Sequence, residues 1–261
     1  MSPERVRDDD FPMRSWGLAA PGELDRIVIV SPHLDDAVLG CGRFLAGHPG
    51  VTVVTVFAGN PLAYPDPMRL WDVQSGFAPG DDVMEVRRKE DHAALGVLDA
   101  APHHLDFVEH TYNPGDRPVA PRVIAPVLRG VLASLAPTLV LAPFGLANPD
   151  HDVTHRACML VRDELKPATA WWLYEDHGYK HIPGLLAWRV SGLFRGGVWP
   201  TPVVTTATER ECDRRLAAVE CYPTQLLALE DDWSISAKLG APEQFWRLDA
   251  PPEGWEGLTD A

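Results

Sequence analysis

The sequence predicts an α/β protein with a mostly parallel, doubly wound sheet. Three observations support this: short β-branched apolar runs recur along the chain, amphipathic helical segments separate them, and Gly- and Pro-rich stretches mark the joins. The 261 residues suffice for one large core, and 46% apolar with 23% charged residues is an ordinary globular balance. We therefore expect a single domain over residues 1–261, with 1–24 and 251–261 as loop-like ends.

Taken in order, residues 26–31 (RIVIVS) read as a buried parallel strand stopped by Pro32. Residues 37–46 (AVLGCGRFLA) have the small residues and apolar spacing of a helix packed close on a sheet. A second strand is expected over 51–58, then a long loop over 60–80, rich in Pro, Gly and aromatics. Helical periodicity over 82–98, a short strand over 104–107, a helix over 122–135 and a third core strand over 138–142 follow. Residues 149–161 read as a helix entered through Pro149, and 169–174 (TAWWLY) as a strand closing on Glu175 and Asp176. A late helical stretch over 209–227 is broken at Pro223.

Asp plus Glu exceeds Lys plus Arg by 37 to 23, a formal net charge of -14, so the surface should repel phosphate backbones and anionic lipid. Nucleic acid and membrane are not expected partners. The four cysteines are spread without a CxxC pair, which supports neither a zinc ribbon nor a redox motif and makes a reducing cytoplasm the expected location. No stretch approaches the ~20 apolar residues of a membrane span. Nothing in the composition indicates an oligomeric state.

Residues 31–37 (SPHLDDA) bring His33, Asp35 and Asp36 together at the carboxyl end of the first predicted strand, the edge where open α/β sheets bind ligands. Imidazole nitrogen and carboxylate oxygen suit a borderline dication such as Zn²⁺, and adjacent Asp side chains point different ways. One can ligate while the other faces an attacking water. Two Asp residues at a helix start also serve as caps. Capping, however, gives no use to the imidazole of His33.

The second cluster, residues 148–155 (NPDHDVTH), follows the third core strand and should emerge on the same edge, where it can supply a further ligand. His151 and His155, four apart on a helix, form a rival pair of the kind found in HExxH zinc peptidases, here reading HDxxH.

With these residues the chain resembles the PIG-L or LmbE-like zinc-dependent N-acetylglucosaminyl deacetylases. They carry His-x-Asp-Asp after the first strand and His-x-Asp-His later. Further landmarks stand in the family's order: RRKED over 87–91, LDF over 105–107 with Tyr112, YED over 174–176, and AVECYPTQ over 218–225. The resemblance implies a Rossmann-like fold with helices on both faces and a metal site at the carboxyl ends of the strands. It also implies Zn²⁺ held by His33, Asp36 and His151, with Asp35 as general base. The reaction implied is hydrolysis of an N-acetyl or other N-acyl amide of a small molecule such as an amino sugar or a sugar-containing metabolite.

Two positions depart from the family pattern. Ala37 stands where members often have Glu, and Asn148 where the later motif usually has His. In the family that histidine is taken to stabilise the oxyanion and protonate the leaving amine; an amide can donate a hydrogen bond but supplies no proton. Asn148 is thus expected as an oxyanion donor, and the candidates for the acid are Asp35, shuttling the proton it has taken, and His110, His155 and His177. A ligand-binding member without turnover is the further alternative.

Arg87 is a substrate-binding residue by family analogy, against the plain reading of a solvated helix face. Glu175 and Asp176, on the ligand edge, are expected to hold sugar hydroxyls or an amine, unless they cap a turn. Trp71 and Phe77 in the long loop are candidates for an aromatic wall or for pinning the loop. His103 and His104 would face opposite sides of a strand, and Cys41 is expected as a small buried residue.

Overall fold

A computed structural model describes residues 17–165 and 169–250. The apolar run forms β1 (Ile27–Ser31), and its side chains alternate: Ile27 and Ile29 enter one core, Val28 and Val30 the other. A strand covered on both faces has no solvent side, hence the unbroken apolar run. After it come α1 (Asp36–Gly47), β2 (Thr52–Thr55), α2 (Leu70–Gln74), α3 (Val83–Val97) and β3 (Ala101–His104). Next are α4 (Pro121–Leu135), β4 (Leu139–Pro143), α5 (Pro149–Glu164) and β5 (Ala170–Tyr174). The chain continues through α6 (Leu185–Arg195), β6 (Trp199–Val203), α7 (Glu209–Val219), α8 (Pro223–Trp233), α9 (Ile235–Lys238) and β7 (Phe245–Asp249).

One seven-stranded sheet carries the strands in the order β3-β2-β1-β4-β5-β7-β6. The five strands from β3 to β5 run parallel, while β7 pairs antiparallel with both β5 and β6. Residues of α1, α3 and α7 pack on the face of Ile29 and Leu141, and residues of α4, α5 and α6 on the face of Val30 and Val140. The doubly wound expectation therefore holds.

Four local readings are corrected. The third strand to form is 101–104, not 104–107: Ala-Pro-His-His has no alternation to reveal it, and its proline is tolerated because β3 is an edge strand. The second strand stops at Thr55 because Val56 and Phe57 turn their amides to the carbonyls of Ser31 and Pro32, both at 2.9 Å. The stretch 60–80 contains α2, and Pro223 begins a helix instead of breaking one. The antiparallel pair β6 and β7 was not expected: the two prolines of WPTPV mask a strand, and they again sit on an edge. Residues 17–24 carry turns and bends and no regular element, and the expectations for 1–16 and 251–261 fall outside the described residues.

The topology places the site. β1 and β4 are neighbours in parallel register, with Ile29 opposite Leu141, but the chain leaves β1 toward β2 and leaves β4 toward β5. Their following loops diverge and open a crevice at the carboxyl ends. Among the described residues, no helix is long and apolar enough to cross a membrane.

Close helix packing behind this crevice depends on Gly42, where an added Cβ would lie 2.6 Å from Arg215 Cγ. Arg215 cannot easily retreat: its guanidinium donates to the carbonyls of Leu39 and Leu239 and lies 3.4 Å from Glu243. Gly42→Ala should cost ~1–3 kcal/mol, seen as a lower urea midpoint with an unchanged m-value. A midpoint equal to the parent's would show that the α1 and α7 contact has slack.

Candidate active site

At the end of β1, Ser31 does the capping that the two aspartates were candidates for. Its hydroxyl accepts from Ala37 N at 3.0 Å and donates to His33 O at 2.6 Å, closing the first turn of α1 from behind. Asp35 occupies the cap position, yet its side chain makes no capping bond. Both carboxylates are thereby released to the crevice.

At the end of β4, the loop turns at Gly145 (φ +74°), where a Cβ would meet His155 Cβ at 2.5 Å and His151 O at 2.8 Å. Asn148 then caps α5, its side-chain oxygen accepting from Asp150 N at 2.8 Å, with Pro149 at the first helical position. The first turn of α5 delivers Asp150 and His151 into the crevice opposite β1.

His33, Asp36 and His151 meet there. His33 Nδ1 lies 3.2 Å from Asp36 Oδ2, His151 Nε2 lies 3.1 Å from the same oxygen, and the two ring nitrogens are 3.3 Å apart. A tetrahedral ion with bonds of ~2.0 Å has ligand-to-ligand edges of ~3.3 Å, so this triangle fits such an ion. Each imidazole is also held from behind by a carboxylate, as metal-ligating histidines are. His151 Nδ1 sits 2.6 Å from Asp176 Oδ1, and His33 Nε2 3.2 Å from Asp150 Oδ2. Among the described residues this is the one cluster with metal-ligand spacing.

The electrostatics agree with the donor set. Burial alone would depress the imidazoles, but Asp150 and Asp36 lift His33 well above its ordinary value, and Asp36 and Asp176 lift His151 to about 9. Burial would lift Asp36, yet the two rings hold it far below the carboxylate range. Asp35 behaves oppositely: burial first, then the Asp36 charge, push it up to about 7. A carboxylate poised near neutrality beside a cluster that draws positive charge is suited to take a proton from water.

A cavity of about 200 Å³ opens over the cluster, lined by Asp35, Asn148, His110, Tyr179, Trp71 and Arg87 among others. Arg87 is not the solvated residue of the plain reading. It is 3% exposed, with Nη2 2.9 Å from Asp72 and Nη1 3.2 Å from Glu109. Its guanidinium forms part of the cavity wall but is already committed to two carboxylates. Trp71 lines the cavity, whereas Phe77 lies under the Arg87 guanidinium, 5.8 Å from it.

Glu175 and Asp176, expected to hold substrate, do not line the cavity. Glu175 accepts from the Trp246 indole at 3.0 Å, and Asp176 stands behind His151 and accepts from Leu146 N at 3.3 Å. Their chain position put them on the right edge; their side chains turn into the protein. His155 leaves the rival zinc pair, since its Nδ1 bonds to Pro143 O at 2.9 Å and it also lies off the cavity. His104 bonds Asp91 at 2.8 Å, separate from His103, and Cys41 is buried with a free thiol. Sequence reasoning missed Asp150, Glu109 and Tyr179; the first stood inside a motif already recognised, and the other two close behind the landmarks at 105–107 and 174–176.

Comparison with known proteins places this geometry. The PIG-L family profile (GlcNAc-PI de-N-acetylase) matches residues 28–161, which contain both site motifs. Among solved structures, the A40926 pseudoaglycone deacetylase Dbv21 is 28% identical with a TM-score of 0.70, over 85% of this chain and 96% of that one. The zinc-inhibited form of teicoplanin deacetylase Orf2 is 25% identical with a TM-score of 0.72, over 88% of this chain and all (100%) of the other. The deacetylase–teicoplanin complex is 26% identical with a TM-score of 0.69, over 87% and 100% respectively. No curated protein matches significantly. With the profile covering half of its length, and with deacetylases of one architecture matching it nearly end to end, the chain belongs to the PIG-L family and is a hydrolytic deacetylase.

Proposed function

We propose that the protein is a zinc-dependent enzyme that hydrolyses the N-acetyl or other N-acyl amide of an amino sugar carried by a small molecule. His33, Asp36 and His151 would hold the metal, and Asp35 would act as base. The observation that carries this reading is the His33–Asp36–His151 triangle, with edges of 3.1 to 3.3 Å, beside a buried Asp35. Structural relatives that act on the A40926 pseudoaglycone and bind teicoplanin support a sugar-bearing substrate.

Zinc in such a site supplies Lewis acidity toward the acyl oxygen and lowers the pKa of water. The chain's own groups do the rest. Asp35 accepts the proton of the attacking water, and its burial keeps the carboxylate from being spent on solvent. Asn148, whose oxygen is used in capping α5, has its amide N–H groups left to face Tyr179 and the acyl oxygen. Asp150 and Asp176 keep the two imidazoles in one tautomer and one orientation.

Four tests follow. Purified Asp36→Ala and His151→Ala should lose bound zinc by elemental analysis, while His155→Gln keeps it; full occupancy in either alanine variant would sink the ligand assignment. Asp35→Asn should retain zinc and lower kcat by ~100-fold or more; a kcat close to the parent's would remove Asp35 from the role of base. Asp176→Asn should weaken zinc affinity by ~10–100-fold in competition with a chelator, because His151 loses its anchor. Release of free amine from N-acetylated amino sugars, compared with N-acetylated peptides, tests the substrate class.

A further inference from the structure

Asn148 stands where the family resemblance implies a histidine that protonates the leaving amine, and an amide has no proton to give. Besides a shuttle through Asp35, which the leaving-group test below distinguishes because it predicts no loss in His110→Asn, three other histidines were candidates, and the structure separates these three. His155 lies off the cavity and bonds to the Pro143 carbonyl. His177 lines the cavity, but burial, with Arg215 and Lys180 nearby, pushes it down to about 3, so it is uncharged at neutral pH. His110 lines the cavity and is oriented by a carboxylate.

We propose that His110, oriented by Asp150, is the proton donor to the departing nitrogen in place of the motif histidine. This rests on the deacetylase reading. Asp150 is fully buried and accepts twice from His110: from Nδ1 at 2.9 Å and from the backbone N–H at 3.0 Å, both at Oδ2. With Nδ1 committed as a donor, Nε2 is the nitrogen left for the cavity. The same oxygen lies 3.2 Å from His33 Nε2, so a single carboxylate holds the His110 ring and the first ligand ring side by side. An imidazole oriented by a carboxylate and lining the same cavity as the His33, Asp36 and His151 cluster is an arrangement general acids use. His110 sits on the 3-10 turn His110–Tyr112, and the neighbouring Glu109 bonds Arg87, which fixes the turn from its other side.

The protons balance. Asp35 takes one from the attacking water, and oxygen adds to the acyl carbon. The carbon–nitrogen bond then breaks with its electron pair left on nitrogen, which takes the Nε2 proton of the His110 imidazolium. The proton held by Asp35 resets His110 through solvent. Amide plus water gives carboxylic acid plus amine, with no other reactant.

The test compares two leaving groups on zinc-loaded protein. One substrate is the N-acetylated amino sugar turned over fastest by the parent enzyme. The other is 4-nitrophenyl acetate, whose phenolate departs without a proton. His110→Asn should lower kcat on the amide by ~100-fold or more while changing the ester rate by less than ~5-fold, with KM for the amide and zinc content unchanged. In His110→Ala, added imidazole should restore part of the amide rate. Equal losses on both substrates, or an amide rate within ~3-fold of the parent, would overturn the assignment. A parent that releases no amine from any N-acetylated or longer-chain N-acylated amino sugar overturns the amino-sugar reading and this role together, whereas a parent that turns over beside an equally active His110→Asn overturns this role alone.

Discussion

One carboxylate oxygen joins the two halves of the site. Asp36 Oδ2 accepts from the backbone N–H of His33 at 2.9 Å and lies 3.2 Å from His33 Nδ1 and 3.1 Å from His151 Nε2. It ties the loop after β1 to the first turn of α5, two segments more than a hundred residues apart that only the sheet brings together. A negative charge between two imidazoles is strongly favoured in a half-buried crevice, and removing it would take away the one charge that bridges the two rings.

A second set of carboxylates stands behind that oxygen and determines how rigid the site is. Asp150 and Asp176 are almost fully buried, and isolated charges there would be costly; each is instead paired with an imidazole and with a backbone N–H. The pairing runs both ways. The histidines need the carboxylates to fix their tautomers, and the carboxylates need the histidines to stay ionised in a dry interior. The site is therefore a closed polar network, and one opening faces the cavity.

The long loop before α3 is ordered by similar chemistry. Asp72 on α2 accepts from Arg87 at 2.9 Å and from the Tyr112 hydroxyl at 2.8 Å, so a charged triad fastens α2 against α3. Trp71 follows, placed over the cavity with its indole 3.4 Å from Gln225. Arg87 thus acts on the cavity through the wall it builds.

Much of this was legible beforehand, because the signals are local. Burial on both faces forces unbroken apolar strands, so β1, β2, β4 and β5 announce themselves. A His and two Asp in one turn at a strand end have few uses other than chemistry, so His33, Asp35 and Asp36 could be named from the local pattern, while the choice of His151 over His155 came from the family resemblance. The edge strands β3 and β6 could not be read, since edges tolerate proline and need no alternation, and β7, which pairs between β5 and β6, was missed with them. Nor could side-chain direction. Glu175 and Asp176 stand together at the end of one strand, yet one pairs with Trp246 and the other with His151. By itself the sequence determined the fold class and the donor types gathered at the strand ends. The tertiary structure decided which carboxylate serves which imidazole, because Asp150 reaches His110 across forty positions of chain, and such pairings depend on packing that local patterns do not encode.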